Sequence, residues 1–185
     1  MSDFHIIGVS AESGHGKDVV ASWLAARFNL AVVSFADPMK RFCQSVFGFS
    51  DEQLWGPSEM RNKETEISWM EVVHRFSGAG TPFIHEVVPQ EESRLEAFYR
   101  LNNWFYDLQE RKTPLSPRVI LQTMGTEWGR MVDKDIWLNY AHKKVIPAIS
   151  SGFQYHPKKG IDFPQYVIHG CREEDEPAIR AKIEE

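Results

Sequence analysis

Apolar residues occur along this chain in two patterns, short continuous runs and repeats every three to four positions. The short runs are typical of buried parallel strands, because both faces of such strands are covered. They predict strands at about Phe4–Ser10, Ala31–Phe35 and Tyr166–His169. The repeats predict amphipathic helices, most of which lie between the second and third strands. We therefore expect an α/β fold with a helical insertion at about 50–115.

Capping residues and prolines indicate where several helices begin. Asp37-Pro38 predicts an N-cap and a first-turn proline for a helix to about residue 47, and Ser116-Pro117 predicts the same for a helix to about residue 128. The helix before them should cover Asp18–Phe28. Its buried face is expected to hold four apolar side chains, those of Val20, Trp23, Leu24 and Phe28.

The rest of the chain predicts helices separated by polar segments. Residues 48–65 are polar and turn-rich, and a helix over Ile67–Phe76 should end where glycines and Pro82 follow. Residues 91–112 form an amphipathic helix whose aromatic stripe fits a core or a homodimer face. Three further segments are predicted, a long helix from Asp133–Asp135 to about Val145, a loop over 150–164 and a helix over 173–183.

Composition narrows the class of protein. With 185 residues and 42% hydrophobic residues, the chain suits a single domain, 1–185, with a real core. A net charge of −5 argues against a general nucleic-acid or membrane-surface binder, and no apolar run approaches the roughly 20 residues of a membrane span. Cys43 and Cys171 are expected to be reduced packing residues of a cytoplasmic protein, and the seven scattered histidines predict no zinc site.

The segment between the first strand and the first helix carries the clearest chemistry. It reads Gly-Val-Ser-Ala-Glu-Ser-Gly-His-Gly-Lys-Asp over residues 8–18, which is typical of a phosphate-binding loop. Backbone N–H groups and the helix N-terminus would hold the phosphates of ATP, and Lys17 would supply a point charge. Ala11 replaces the usual first glycine, and Asp18 replaces the usual hydroxyl residue and is the candidate Mg²⁺ ligand. The candidate ATP-binding residues are Ser13, Gly14, His15, Gly16, Lys17, Asp18 and Val19.

Further motifs give the chain a family resemblance. They are Gly-Lys-Asp at 16–18, Phe-Ala-Asp-Pro-Met-Lys at 35–40, Leu-Trp-Gly-Pro at 54–57 with Arg-Asn-Lys at 61–63, the segment 116–130 and Asp-Lys-Asp-Ile-Trp at 133–137. Together they resemble the deoxynucleoside monophosphate kinases of tailed bacteriophages, in the same order, from residue 8 to about residue 176. Asp18, which departs from the general loop pattern, is what that family shows.

The resemblance implies a P-loop kinase fold, with three α/β/α layers, a parallel sheet and a helical insertion or lid. It implies transfer of the γ-phosphoryl group of ATP, with Mg²⁺, to a deoxynucleoside 5′-monophosphate for DNA precursor synthesis in a bacterial cytoplasm. Lys17, Arg130 and Arg172 are the implied catalytic residues. The implied acceptor-binding residues are Asp37, Met39, Lys40, Arg61, Arg118, Gly125, Thr126, Trp137 and Glu176.

Other interpretations of these residues stay open. Asp37 fits a plain helix cap, Arg118 a solvated surface group and Trp137 a core residue, and Trp128 fits the core better than a site. Gly170 stands where the family has an aspartate. The sequence offers no candidates for a fourth and a fifth strand, so either the chain stops early or residues that follow the last one are missing. The alternative functions are a kinase of small metabolites such as dephospho-coenzyme A and a nucleotide-binding module without transfer activity.

Overall fold

The computed structural model describes residues 5–11, 15–28, 30–142 and 165–169. The chain divides into two compact units. One, the sheet unit, comprises Met1–Phe35 and Trp137–Glu185, and the other, the helical unit, comprises Ala36–Ile136. The insertion expected at about 50–115 falls inside the helical unit.

The described residues of the sheet unit form three parallel strands, β1 (His5–Val9), β2 (Ala31–Ser34) and β3 (Gln165–His169). They lie where the short apolar runs predict them. The strand order is β1-β3-β2, and the register pairs Ile7 and Val32 with Val167 from either side. Because parallel strands need a crossover, the chain leaves β1 through helix α1 (Lys17–Phe28), which contacts all three strands.

The predicted buried face of α1 is wrong in three of its four positions. Ala21 is the buried residue of this helix, and it packs with Leu30 and with the partly buried Leu24 and Ala25. The side chains of Val20, Trp23 and Phe28 are exposed. A small residue faces the packed side because it allows the helix to approach closely, and a hydrophobicity pattern does not record that preference.

The helical unit is built from consecutive helices, two of which contain a π-helical turn. The segments in chain order are α2 (Asp37–Phe42), π-turn 1 (Cys43–Phe47), α3 (Asp51–Trp55), α4 (Ser58–Asn62), α5 (Trp69–Val87), α6 (Glu91–Glu110), α7 (Pro117–Gln122), π-turn 2 (Thr123–Trp128) and α8 (Gly129–Val132). Helix α9 (Ile136–Tyr140) crosses the boundary between the two units.

The core of the helical unit lies where α5 packs against α6. Phe76 is central, since its ring stacks on that of Phe98 with centroids 5.0 Å apart and meets that of Phe105 edge to face at 5.4 Å. Trp128 is fully buried, as predicted, and its indole N–H donates to the carbonyl oxygen of Ala97 at 2.8 Å. The indole thereby satisfies its only polar group within an apolar site.

Helix α5 continues through the glycine- and proline-rich stretch that was predicted to end it. The helix covers Trp69–Val87 with Pro82 in its interior. Buried side chains occur on both sides of that stretch, with Phe76 before it and Phe83 and Ile84 after it. Burial of an apolar side chain of this size contributes about 1.5–3 kcal/mol, so a few such contacts outweigh the roughly 3 kcal/mol cost of one internal proline. Tertiary packing therefore decides where this helix ends.

The capping predictions have mixed outcomes. The side chain of Ser116 accepts a hydrogen bond from the backbone N–H of Val119 at 3.3 Å, so this residue is the predicted N-cap. Asp37 is not a cap, because the helix already begins at Asp37 and the capping position is Ala36. Two short helices, α3 and α4, occupy the stretch predicted as turns. Ser50 begins α3 with a reciprocal capping box to Gln53 that the prediction overlooked.

The prediction of an amphipathic stripe on α6 is confirmed at the centre of the helix. Leu101 and Phe105 are fully buried, whereas Leu95 is exposed. The long helix predicted from Asp133–Asp135 onward is present as α9, which begins at the buried Ile136. Its continuation to Val145, the loop over 150–164 and the helix over 173–183 lie outside the described residues.

Candidate functional site

The described end of the segment between β1 and α1 has one backbone feature that is common in phosphate-binding loops, a glycine with positive φ. Gly16 has φ +73°, a left-handed conformation that side chains other than hydrogen rarely adopt. Among the described residues, apart from the chain neighbours of Gly16, no atom lies within 4 Å of the Cβ that an alanine would place there, so the positive φ is what favours glycine. The carbonyl oxygen of Gly16 then accepts the N–H of Val20 at 3.1 Å and starts the helix.

Lys17 and Asp18 follow as the first two residues of α1. Lys17 is half-buried, and Asp18 is exposed in the first turn. The N–H groups of a first helical turn have no acceptor within the helix, and together with the helix dipole they favour an anion at this place. An exposed carboxylate beside a phosphate site fits Mg²⁺, since this ion takes one or two protein carboxylates together with phosphate oxygens and water.

The structure says less about the other residues predicted to bind ATP. His15, directly before Gly16, and Val19, directly after Asp18, are both exposed. Ser13 and Gly14 lie outside the described residues. The structure therefore describes the two ends of the loop. One end follows strand β1, and the other leads into helix α1.

The candidate acceptor residues of the helical unit lie on elements that contact one another in a closed series. Lys40 on α2 is 9% exposed, and its ammonium lies 5.5 Å from the ring centroid of Trp55 on α3. Helix α3 contacts α4, which carries Arg61, and α4 contacts α7, which carries Arg118. Three cationic side chains predicted at distant sequence positions therefore belong to neighbouring helices.

The series closes at π-turn 2. This turn continues α7 and carries Gly125 and Thr126. A Cβ on Gly125 would lie 3.0 Å from Sδ and 3.1 Å from Cε of Met39, so the two residues pack tightly. Met39 directly precedes Lys40 on α2. The resulting arrangement, which we call the acceptor ring, consists of α2, α3, α4, α7 and π-turn 2.

Several polar side chains of the acceptor ring lie at its surface or are half-buried. Nη2 of Arg61 donates to Oγ of Ser58, one turn earlier on α4, at 3.2 Å. Arg118 is half-buried in the first turn of α7 and does not have the full exposure of a solvated surface group. Thr126 is half-buried, as is Asp37 in the first turn of α2. These positions leave polar atoms near the surface of the helical unit.

The remaining predicted site residues lie elsewhere. Arg130 is half-buried on α8, directly after π-turn 2. Trp137 is buried on α9 and belongs to the sheet unit. Arg172, Glu176, Gly170 and Cys171 lie outside the described residues.

Two features of the helical unit were not predicted from the sequence. One is the contact of Trp55 with Lys40, whose only signal was the presence of both residues in motifs of the resemblance. The other is a sulfur contact between the π-turns, in which Sγ of Cys43 lies 3.8 Å from Sδ of Met124. Cys43 is fully buried, as expected of a packing residue, and burial raises the pKa of its thiol because the thiolate would lose its hydration.

No cluster of three or more His, Cys, Asp or Glu side chains could hold a metal ion in the described ranges. Within the same part of the chain, no helix combines the length and apolar character needed to cross a bilayer.

Comparison with known proteins gives one partial similarity. No family model matches the chain. A stretch of 56 residues, 30% of the chain, is 41% identical to a protein of Acanthamoeba polyphaga mimivirus described as "Putative deoxynucleotide monophosphate kinase". The stretch covers 29% of the length of that protein. The chain thus shares a short and clearly similar segment with a viral protein that carries a kinase description.

Proposed function

We propose that this protein is an ATP-dependent kinase that phosphorylates a deoxynucleoside 5′-monophosphate, with a P-loop kinase type of fold. The observation that carries the proposal is the position of Gly16 and Lys17 between a parallel strand and a helix N-terminus. In open α/β sheets, ligands bind outside the carboxyl ends of the strands, which is where β1 ends. The partial similarity to the mimivirus protein supports the same activity.

The donor would bind at the β1–α1 loop. The N–H groups of residues 13–17 would hold its phosphates, and the Lys17 ammonium would balance charge on the β- and γ-phosphoryl groups. Asp18 would hold Mg²⁺ directly or through water, and this ion supplies neutralisation of the charge shared by β and γ oxygens. No covalent step is required of the protein, because phosphoryl transfer needs mainly alignment and charge stabilisation.

The acceptor phosphate would bind at the acceptor ring. Lys40, Arg61 and Arg118 supply positive charge there, although the whole chain carries a net charge of −5. The two guanidinium groups match phosphate oxygens with paired N–H donors, and the ammonium acts as a point charge. Arg130 and Arg172 are proposed to stabilise charge on the transferring group. Local positive charge on an acidic protein fits a small anionic substrate better than a nucleic acid.

A coupled assay of ADP release tests the proposal. Purified protein with Mg-ATP is offered dAMP, dCMP, dGMP, dTMP, the ribonucleoside monophosphates and dephospho-coenzyme A in separate reactions. We expect turnover with at least one deoxynucleotide and a turnover about 10²- to 10³-fold lower when Lys17 is replaced by alanine, which controls for a contaminating kinase.

The same assay separates the alternatives. Turnover with dephospho-coenzyme A alone would replace the proposed activity with that of a small-metabolite kinase. Binding of ATP, measured by calorimetry, without transfer to any acceptor would identify a non-catalytic nucleotide-binding module.

A further inference from the structure

The contact between Lys40 and Trp55 has a role that the motifs do not assign. We infer that Trp55 is a positioning residue, which holds the Lys40 ammonium in place to bind the acceptor phosphate. The inference rests on the proposed function. Its structural basis is the distance of 5.5 Å between the ammonium nitrogen and the indole centroid, which lies within the range of a cation–π interaction.

Lys40 needs such support because it is buried. Its residue is only 9% exposed, and a charged group that leaves water loses hydration. The negative face of an indole is the best aromatic partner for an ammonium and offsets part of that loss. A lysine side chain also has four flexible torsions, so a fixed partner reduces the number of positions its charge can occupy.

Trp55 can act as a fixed partner because both ends of α3 are defined. The capping box of Ser50 and Gln53 sets the start of the helix, and Leu54, the residue before Trp55, is fully buried. At the other end, a Cβ on Gly56 would collide with the backbone of Glu52, so the chain turns sharply there. The backbone of Trp55 is therefore held by the core, while its side chain remains 42% exposed.

Trp55 is exposed and Lys40 keeps 9% of its exposure, so the pair lies at the surface of the helical unit, where we infer that a small anion reaches the ammonium. A phosphate oxygen forms a charge-assisted hydrogen bond to an ammonium, which is stronger than the attraction of the ring. In the proposed arrangement the phosphate binds the ammonium from a side other than that of the indole, so that both contacts persist when the acceptor is bound. Trp55 then contributes to binding of the acceptor in the ground state and in the transition state alike, and its loss raises KM and leaves kcat.

Kinetics of Trp55 variants test the inference. For Trp55→Leu we expect the KM of the acceptor nucleotide to rise about 3- to 30-fold, the range that corresponds to a cation–π contact of a lysine. The kcat and the KM of ATP should change less than about 2-fold. Trp55→Tyr and Trp55→Phe should restore part of the loss, because their rings keep a weaker negative face. Trp23→Leu, an exposed tryptophan on α1, is the matched control and should leave all constants unchanged.

A second measurement does not depend on turnover. Titration of the wild-type protein with inorganic phosphate should change its tryptophan emission, the change should vanish in Trp55→Phe, and it should persist in Trp23→Phe. An unchanged acceptor KM in Trp55→Leu, or a phosphate signal that survives in Trp55→Phe, would overturn the inference. If the wild type transfers phosphate to no acceptor, the proposed function fails, and the phosphate titration alone decides the role of Trp55.

Discussion

Two tryptophans show how differently the two units of this protein are built. Trp23 on α1 in the sheet unit is 60% exposed, and its ring meets that of Phe28 edge to face. Trp128 in the helical unit is 0% exposed and donates a hydrogen bond to the backbone of α6. Both lie at helical spacing among apolar residues, so the sequence pattern around them looks alike.

The two units also differ in how their proposed binding sites are built. The proposed donor site at the β1–α1 loop depends on consecutive residues, namely a glycine with positive φ followed by a lysine at a helix start. The proposed acceptor site at the acceptor ring depends on contacts between segments far apart in sequence, such as Met39 with Gly125. Damage to the core should therefore affect the second site much more than the first.

The largest expected effect is the loss of stability on replacing Trp128 by alanine, and Trp23→Ala is the comparison. Trp128→Ala should lower the free energy of unfolding by about 3–5 kcal/mol, because it leaves a cavity and removes the partner of the Ala97 carbonyl. Trp23→Ala should lower it by less than about 1 kcal/mol. Urea unfolding followed by circular dichroism measures both. Equal losses would mean that Trp23 is also a core residue.

Lys17→Ala tests the local site with the next largest effect. We expect kcat to fall about 10²- to 10³-fold, as when a single group that stabilises transition-state charge is removed, with an unchanged melting temperature. Lys134→Ala, at an exposed lysine, is the matched control and should retain activity. Near-normal turnover of Lys17→Ala would show that the β1–α1 loop does not bind the donor.

Two glycines of α5 provide the smallest and sharpest test. A Cβ on Gly80 would lie 2.5 Å from the buried ring of Phe76, so Gly80→Ala should destabilise the protein by about 1–3 kcal/mol. No atom lies within 4 Å of the same position on Gly78, and Gly78→Ala should stabilise the helix by up to about 1 kcal/mol. Thermal unfolding gives both signs. A loss of stability in both variants would contradict a continuous α5 at these positions.

Features that depend on residues close together in sequence were predicted more accurately than features that depend on packing between distant segments. The strands and the cap at Ser116 were predicted because each depends on residues within a few positions. The end of α5 and the buried face of α1 were wrong, since each depends on what packs against the helix. The capping box at Ser50 had a local signal that was overlooked.

The sequence by itself determined the elements of short range. It placed three strands, a glycine-rich loop with Lys17 at a helix start, and most of the helices, because backbone conformation and periodicity are local properties. Only the tertiary structure decided that Lys40, Arg61 and Arg118 lie on neighbouring helices and that Trp55 covers the Lys40 ammonium. The physical reason is that packing among α2, α3, α4 and α7 depends on side-chain shape across a large sequence separation, which no spacing of residues encodes.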